Sequence, residues 1–310
     1  MYEAFYGLRE KPFSLLPDPG FLYLGQPHSM AYAVLEYGVL NQAGFTVITG
    51  EVGSGKTTLV RHLLNRIDDQ ITIGLITNTA NLEPELLRWV LLAFNQDHSN
   101  RDAVALHAIF EQFLIERYAR GGRTVLLVDE AQNLTVATLE ELRMLSNINA
   151  DKDLLLQVVL VGQPELKVKL ERPELHQFAQ RISASYHLNA LSMEDTVSYI
   201  RHRLKYAGAE RRIFTEEACA AVYASSKGVP RLINILCDTA LVYAYAEGAI
   251  EIGVGVVSEV IRDFAAGIQR ERSTSGPIAT RDQESLGEER GSRFNREMAR
   301  ELFSNLRGKN

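Results

Sequence analysis

Apolar positions along this chain follow two rhythms, and the change between them divides it. Up to about residue 190, short unbroken apolar runs alternate with segments whose apolar residues recur every three to four positions. The runs are Phe45–Thr49, Ile71–Thr77, Thr124–Val128, Leu154–Gln163 and Ile182–Leu188. They are too short for helices and rich in β-branched residues, as buried strands are. Between them, helical spacing marks residues 28–42, 57–64, 83–95, 102–119 and 135–149, and helix again up to Gln180. Asn81 or Glu83, with Pro84 in the first turn, opens the third of these. Strand and helix in alternation predict an α/β domain, a parallel five-stranded sheet flanked by helices.

From Ser192 the rhythm is helical throughout, over about 192–206, 215–225, 229–247 and 256–268. Thr215 before Glu216-Glu217 and Ser258 before Glu259 read as helix starts, and Pro230 is preset for a first turn. The expected division is therefore residues 1–190 as an α/β domain with an N-terminal arm, 191–268 as a small all-helical lid, and 269–310 as a polar flexible tail. The tail is rich in Gly, Ser, Arg and Glu, with Phe294, Met298, Leu302 and Leu306 four apart near its end. The arm, residues 1–27, is rich in aromatics and proline. Its prolines forbid a long helix, so it is expected to wrap on the α/β body, either packing there or reaching a bound base.

Composition narrows the class. Of 310 residues, 46% are hydrophobic and 23% charged, as in ordinary globular proteins, and a net charge of −6 gives no general attraction for nucleic acid. The two cysteines, Cys219 and Cys237, read as buried small hydrophobes, and the histidines lack ligand spacing. The N-terminus carries no basic region followed by an apolar core, and no run approaches the ~20 apolar residues of a membrane helix, so a cytoplasmic protein is expected.

The chemistry lies between the first strand and its helix. Gly50-Glu51-Val52-Gly53-Ser54-Gly55-Lys56-Thr57, followed by Thr58, fits G-x-x-x-x-G-K-[S/T] in full. Glycines let successive backbone N–H groups turn toward phosphate oxygens, and the helix N-terminus adds its dipole. Lys56 supplies charge for the β- and γ-phosphates, and the Thr57 hydroxyl is a Mg²⁺ ligand. Val125-Leu126-Leu127-Val128-Asp129-Glu130 is an apolar strand ending in two carboxylates. Paired with the loop, it assigns Asp129 to the Mg²⁺ shell and Glu130 to the attacking water. Gln163, at the end of the fourth strand, either contacts the γ-phosphate or water, or is a turn residue before Pro164. Arg231, at a helix start, could reach nucleotide in a cleft. ATP with Mg²⁺ is the expected substrate and cofactor.

With these motifs, the helical lid and Gly228-Val229-Pro230-Arg231, the chain resembles the AAA+ ATPases. More narrowly it resembles the general secretion pathway protein A (ExeA-type) secretion ATPases. This rests on Phe5-Tyr6-Gly7-Leu8, Lys11-Pro12-Phe13, Pro17-Asp18-Pro19-Gly20-Phe21-Leu22-Tyr23, Val128-Asp129-Glu130-Ala131-Gln132, Leu160-Val161-Gly162-Gln163-Pro164-Glu165-Leu166 and Gln180-Arg181-Ile182. The subfamily beside exosortase and exopolysaccharide genes begins in much the same way. Fuller family members continue through a membrane helix into a peptidoglycan-binding part, which nothing in this sequence matches.

The resemblance implies a homo-oligomeric ring such as a hexamer, partners in an envelope secretion or export system, and a place in the cytoplasm or peripheral to the inner membrane. It also implies an arginine acting on the neighbouring subunit's nucleotide. Arg181 stands at the expected place, Arg172 is second choice, and a surface arginine paired with Glu171 or Glu174 is the alternative. Gln163 departs from the Asn, Ser or Thr usual at this family's first sensor. A DNA-associated ATPase of the transposition-regulator type shares the core and stays as the second reading, although no winged-helix module or basic stripe accompanies it.

Overall fold

The computed structural model describes residues 1–41, 43–66, 70–77, 79, 82, 85–150 and 153–274, with side chains up to residue 266. Residues 1–264 form one compact unit and 265–310 a second. The expected helix start at Asn81, Glu83 and Pro84, and the tail with Phe294, Met298, Leu302 and Leu306, lie outside the described residues.

Five strands make one sheet: β1 (Phe45–Gly50), β2 (Ile71–Ile76), β3 (Arg123–Val128), β4 (Leu156–Gly162) and β5 (Ile182–Leu188). Their order is β2-β3-β4-β1-β5 and every pairing is parallel. The strands with the most continuous apolar runs are central. Every residue of β1 and β4 is buried, and β3 is buried after its first residue. In β5, the Ser183 and Ser185 positions are exposed, because that strand lies at an edge.

One face of the sheet packs Phe45, Val47, Leu126, Val128, Val158 and Leu160 against Leu86–Ala93, Ala103–Ala119, Val136–Leu145 and Pro164–Leu170. The other packs Ile48, Val125, Leu127, Val159 and Val161 against Gln26–Leu40 and Lys56–Leu64. A third apolar cluster joins the helices Met193–Tyr206, Glu216–Ser226, Pro230–Ala246 and Val254–Thr274. Asp102, Thr135, Ser192 and Thr215 cap their helices by accepting a backbone N–H three residues on.

Four expectations are corrected. The helix from Thr135 stops at Leu145, and Asn149–Ala150 pairs antiparallel with Asp153–Leu154. Asn147 and Asn149 are residue types of low helix propensity, which favours an end to the helix there. The segment to Gln180 breaks at Arg172-Pro173 into Pro164–Leu170, a 3₁₀ turn Pro173–Leu175 and His176–Ala179, since a residue before proline avoids helical backbone. The last helix begins at Val254 rather than Ser258, which brings Val257 into the core.

The fourth correction is the arm. Tyr2, Tyr6, Leu8, Phe13 and Phe21 are buried with Tyr199, Ile200, Leu204 and Phe214, in the helical core rather than on the sheet. The Tyr2 hydroxyl donates to Asp238 Oδ1, and burial followed by that carboxylate pushes the phenol up. The arm does reach the α/β body: Leu22 packs against the cluster of Ile48, Leu59 and Val159, and the Pro17 carbonyl accepts from Arg61, on the helix after the glycine loop.

Candidate active site

The loop from Gly50 to Thr57 leaves the buried end of β1 and enters the helix Lys56–Leu64. Gly53 and Gly55 hold φ of 78° and 99°, where a side chain is strained, and a Cβ on Gly53 would stand 2.4 Å from the Arg231 Cβ. Lys56 is buried, and its Nζ donates to the carbonyls of Gly50 at 2.7 Å and Glu51 at 2.9 Å. Burial draws its pKa down, while Glu130 and Asp129 act in the opposite sense. Glu51 and Val52 are exposed at the loop's crest, and Ser54 is buried beneath it.

Topology delivers the carboxylates. Asp129 and Glu130 follow the last residue of β3, and β4 lies between β3 and β1, all parallel, so the C-terminal ends of the three strands lie together at one end of the sheet. The Thr57 hydroxyl donates to Asp129 Oδ2 at 2.9 Å, and the Glu130 backbone N–H donates to Asp129 Oδ1 at 2.9 Å. Gln163, directly after β4, donates from Nε2 to Glu130 Oε2 at 3.1 Å. It also occupies the N-cap position of Pro164–Leu170, yet its side chain makes no capping bond, so the amide is committed to Glu130.

These groups open on a cleft of about 300 Å³, lined by Gly53, Gly55, Lys56, Thr57, Thr58, Glu130, Gln163 and Arg231 together with arm residues Ser14–Asp18 and Phe21–Tyr23. The Arg231 backbone N–H donates to the Gly53 carbonyl at 3.2 Å, seating the start of Pro230–Ala246 on the loop. The arm thus both packs and lines the cleft. Arg181 does not join this group. It precedes β5, whose Ile182 pairs with Phe45 at the far end of β1, and its guanidinium donates to Ser146 Oγ at 3.2 Å. Arg172 is exposed at the turn before Pro173.

Three residues of the site have no role assigned to them by the sequence motifs. His28 Nε2 lies 2.9 Å from the Ser54 carbonyl. A carbonyl only accepts, so Nε2 carries the proton. Burial draws the imidazole pKa down, and its Nδ1 has no partner among the described residues. Gln132 is the second; it donates from Nε2 to Glu130 Oε2. The third is Arg203, buried beneath the arm without a carboxylate partner among the described residues. Its guanidinium donates to Pro12 O at 2.6 Å, Ser14 O at 3.2 Å and the Tyr199 hydroxyl at 3.0 Å, and lies 4.6 Å from the Phe21 ring centroid.

Arg203 therefore anchors the arm wall of the cleft. Arg203→Met is expected to lower unfolding stability by about 2–4 kcal/mol, since a hydrogen bond to a charged group is worth about 1.5–3 kcal/mol and the Pro12 carbonyl loses its donor, while the Ser14 carbonyl keeps a weaker one from Asn234 Nδ2 at 3.4 Å. Urea unfolding reads this directly. A midpoint equal to wild type would show that the arm does not depend on this guanidinium.

Comparison with known proteins supports the same architecture. Residues 39–170 match the family described as an AAA domain. The chain is 44% identical over 260 residues to the general secretion pathway protein A of Aeromonas hydrophila, covering 83% of this chain and 47% of that protein. It thus spans about half the length of that relative. Among solved structures, the Aeropyrum pernix ORC2 protein superposes with a TM-score of 0.62 at 17% identity, over 82% of this chain and 71% of that one. The Drosophila ORC bound to DNA superposes with a TM-score of 0.63 at 18% identity, over 87% and 68%. At such identities the likeness is one of fold. The chain carries an AAA domain, has the α/β P-loop fold of the AAA+ proteins, and resembles general secretion pathway protein A in sequence.

Proposed function

We propose that this chain is a Mg²⁺-dependent ATPase that works as a homo-oligomeric ring and serves an envelope secretion or export system from the cytoplasmic side. The observation that carries the reading is the meeting, at one cleft, of a buried lysine in a glycine loop with the Thr57–Asp129 pair and the Glu130 carboxylate. In this reading the backbone of Gly50–Thr58 cradles the phosphates, Lys56 neutralises them, and Arg231 adds charge from the start of its helix. Thr57 and Asp129 offer hard oxygen donors suited to Mg²⁺. Among the described residues no group of three or more His, Cys, Asp or Glu forms a complete cage, so the remaining oxygens would come from phosphate and water, the ordinary way of holding this ion. When bound, Mg²⁺ neutralises charge on the phosphate oxygens.

Glu130 then accepts a proton from the attacking water, and Gln163 orients the carboxylate or the water. Residues 1–190 act as the nucleotide-binding domain and 191–268 as the lid, whose Arg231 reports on the cleft. The secretion assignment is supported by the 44% identical relative and by the resemblance of the arm, and reaches no further than the part of that relative this chain spans. No described helix is long and apolar enough to cross a membrane.

Glu130→Gln is the test. The amide keeps the shape and loses the charge that polarises water, so turnover should fall about 10²–10⁴-fold while ATP still binds. Phosphate release with and without chelator, beside nucleotide binding, separates the two effects. Wild-type turnover in the variant would move the catalytic carboxylate elsewhere. Stimulation of wild-type turnover by DNA at low salt, lost at higher salt, would instead favour the DNA-associated reading.

A further inference from the structure

Glu130 is held by a residue outside the loop, the carboxylate pair and the fourth-strand glutamine. Its backbone takes a left-handed φ of 53°, uncommon for a side chain of this size, and a 3₁₀ turn over Ala131–Asn133 follows. That turn folds the Gln132 side chain back, so that Nε2 donates to Glu130 Oε2 while Oε1 accepts the Gln163 backbone N–H at 3.0 Å. A backbone N–H only donates, which fixes the orientation of the amide: oxygen toward Gln163, NH₂ toward the carboxylate. Gln163 Nε2 donates to the same Oε2, so both amides bind one carboxylate oxygen.

The support extends further. Lys169 Nζ donates to the carbonyls of Gln132 and Leu134, and the Thr79 hydroxyl donates to the Glu130 carbonyl at 3.1 Å. A Cβ on Gly162 would lie 3.0 Å from Gln132 Oε1 and 3.2 Å from its backbone N, so glycine leaves the amide its place.

We propose that Gln132 is a positioning residue for hydrolysis: it fixes the rotamer of Glu130, aims Oε1 at the water, and couples the carboxylate to the first turn of Pro164–Leu170. This rests on the ATPase reading above. A carboxylate free to rotate spends less time in the reactive geometry, and misplacement of this kind is costly in rate.

The experiment uses Gln132→Met, which keeps the length without the amide, and Gln132→Asn, which keeps the amide one methylene short. Each is made in the wild-type and Glu130→Gln proteins, with ATP affinity, kcat, KM and thermal midpoint measured. The expected result is a kcat lower by about tenfold or more in Gln132→Met, ATP affinity within about twofold, and a smaller loss in Gln132→Asn. In the Glu130→Gln protein the same change should leave residual turnover where it was, because the group being positioned is already disabled. Equal kcat in Gln132→Met and wild type overturns the proposal. So does a loss that multiplies with Glu130→Gln, or one that follows ATP affinity and thermal midpoint, since those are marks of a structural role. If the wild-type protein binds ATP and never turns it over, the ATPase reading falls first and this proposal with it, which the wild-type control alone reveals.

Discussion

Lys56→Ala is expected to weaken ATP binding by about 10²–10⁴-fold while the fold persists. Lys56 is the buried cation of the loop, and its ammonium is held by the Gly50 and Glu51 carbonyls at 2.7 and 2.9 Å. Those are hydrogen bonds to neutral partners, so the charge itself is left for an anion. Two charge-assisted bonds to phosphate at about 1.5–3 kcal/mol each give the stated range, at tenfold per 1.4 kcal/mol. The fold should survive because the loop's path is set by Gly53 and Gly55 and by the Arg231 bond to the Gly53 carbonyl, none of which involves the lysine. Removing a desolvated charge also takes away a cost, since burial already draws this amine's pKa down. Calorimetric titration with ATP reads the affinity, and thermal unfolding checks the fold. Unchanged affinity in a folded variant would show that Gly50–Thr57 is a turn rather than a phosphate cradle.

The parts of this molecule that could be read in the sequence are those set by near neighbours or by a strict period. β5 matches its expected bounds because Ile182–Leu188 alternates small polar with larger residues, the mark of an edge strand. Helix Ala103–Ala119 starts where Asp102 can cap it. The position of β4 between the motif strands was legible from the loop and carboxylate pair together, and it brings Gln163 to Glu130. Long-range partners were not legible. Gln132 stands in the stretch that carries the family resemblance, yet its contact with the carboxylate shows only once a left-handed Glu130 folds it back. Arg203 gains its meaning from carbonyls about 190 residues earlier in the chain, and the arm's aromatics gave no sign of which core they would enter. His28 belongs to a helix whose period marks it as core, and its bond to the Ser54 carbonyl follows from how that helix lies against the loop.

Arg181→Ala is expected to reduce turnover about 10³–10⁵-fold, the contribution of an arginine that stabilises charge developing on the transferred phosphoryl oxygens. Its own cleft is out of reach. β1 runs from Phe45, beside Ile182, to Gly50 at the loop, so Arg181 lies roughly 15–20 Å along the strand from the phosphate cradle at ~3.3 Å per residue. Nor is it used up in an ion pair: among the described residues it makes no salt bridge with Glu171 or Glu174, and its one side-chain partner is the Ser146 hydroxyl. If the chain assembles as proposed, a half-buried arginine at the end of the sheet away from its own cleft, bound among the described residues only to a neutral hydroxyl, is available to a second copy's cleft. Mixing Arg181→Ala with Glu130→Gln subunits separates this role from a structural one. If the sites are composite, each variant alone lacks one half of every site. In a mixed ring, one kind of interface joins an intact Glu130 to an intact Arg181, and turnover should return in proportion to the frequency of that interface. Absence of rescue despite demonstrated co-assembly would count against action across the interface. Wild-type turnover in Arg181→Ala by itself would end the assignment and direct attention to Arg172, the exposed arginine at the turn nine residues earlier.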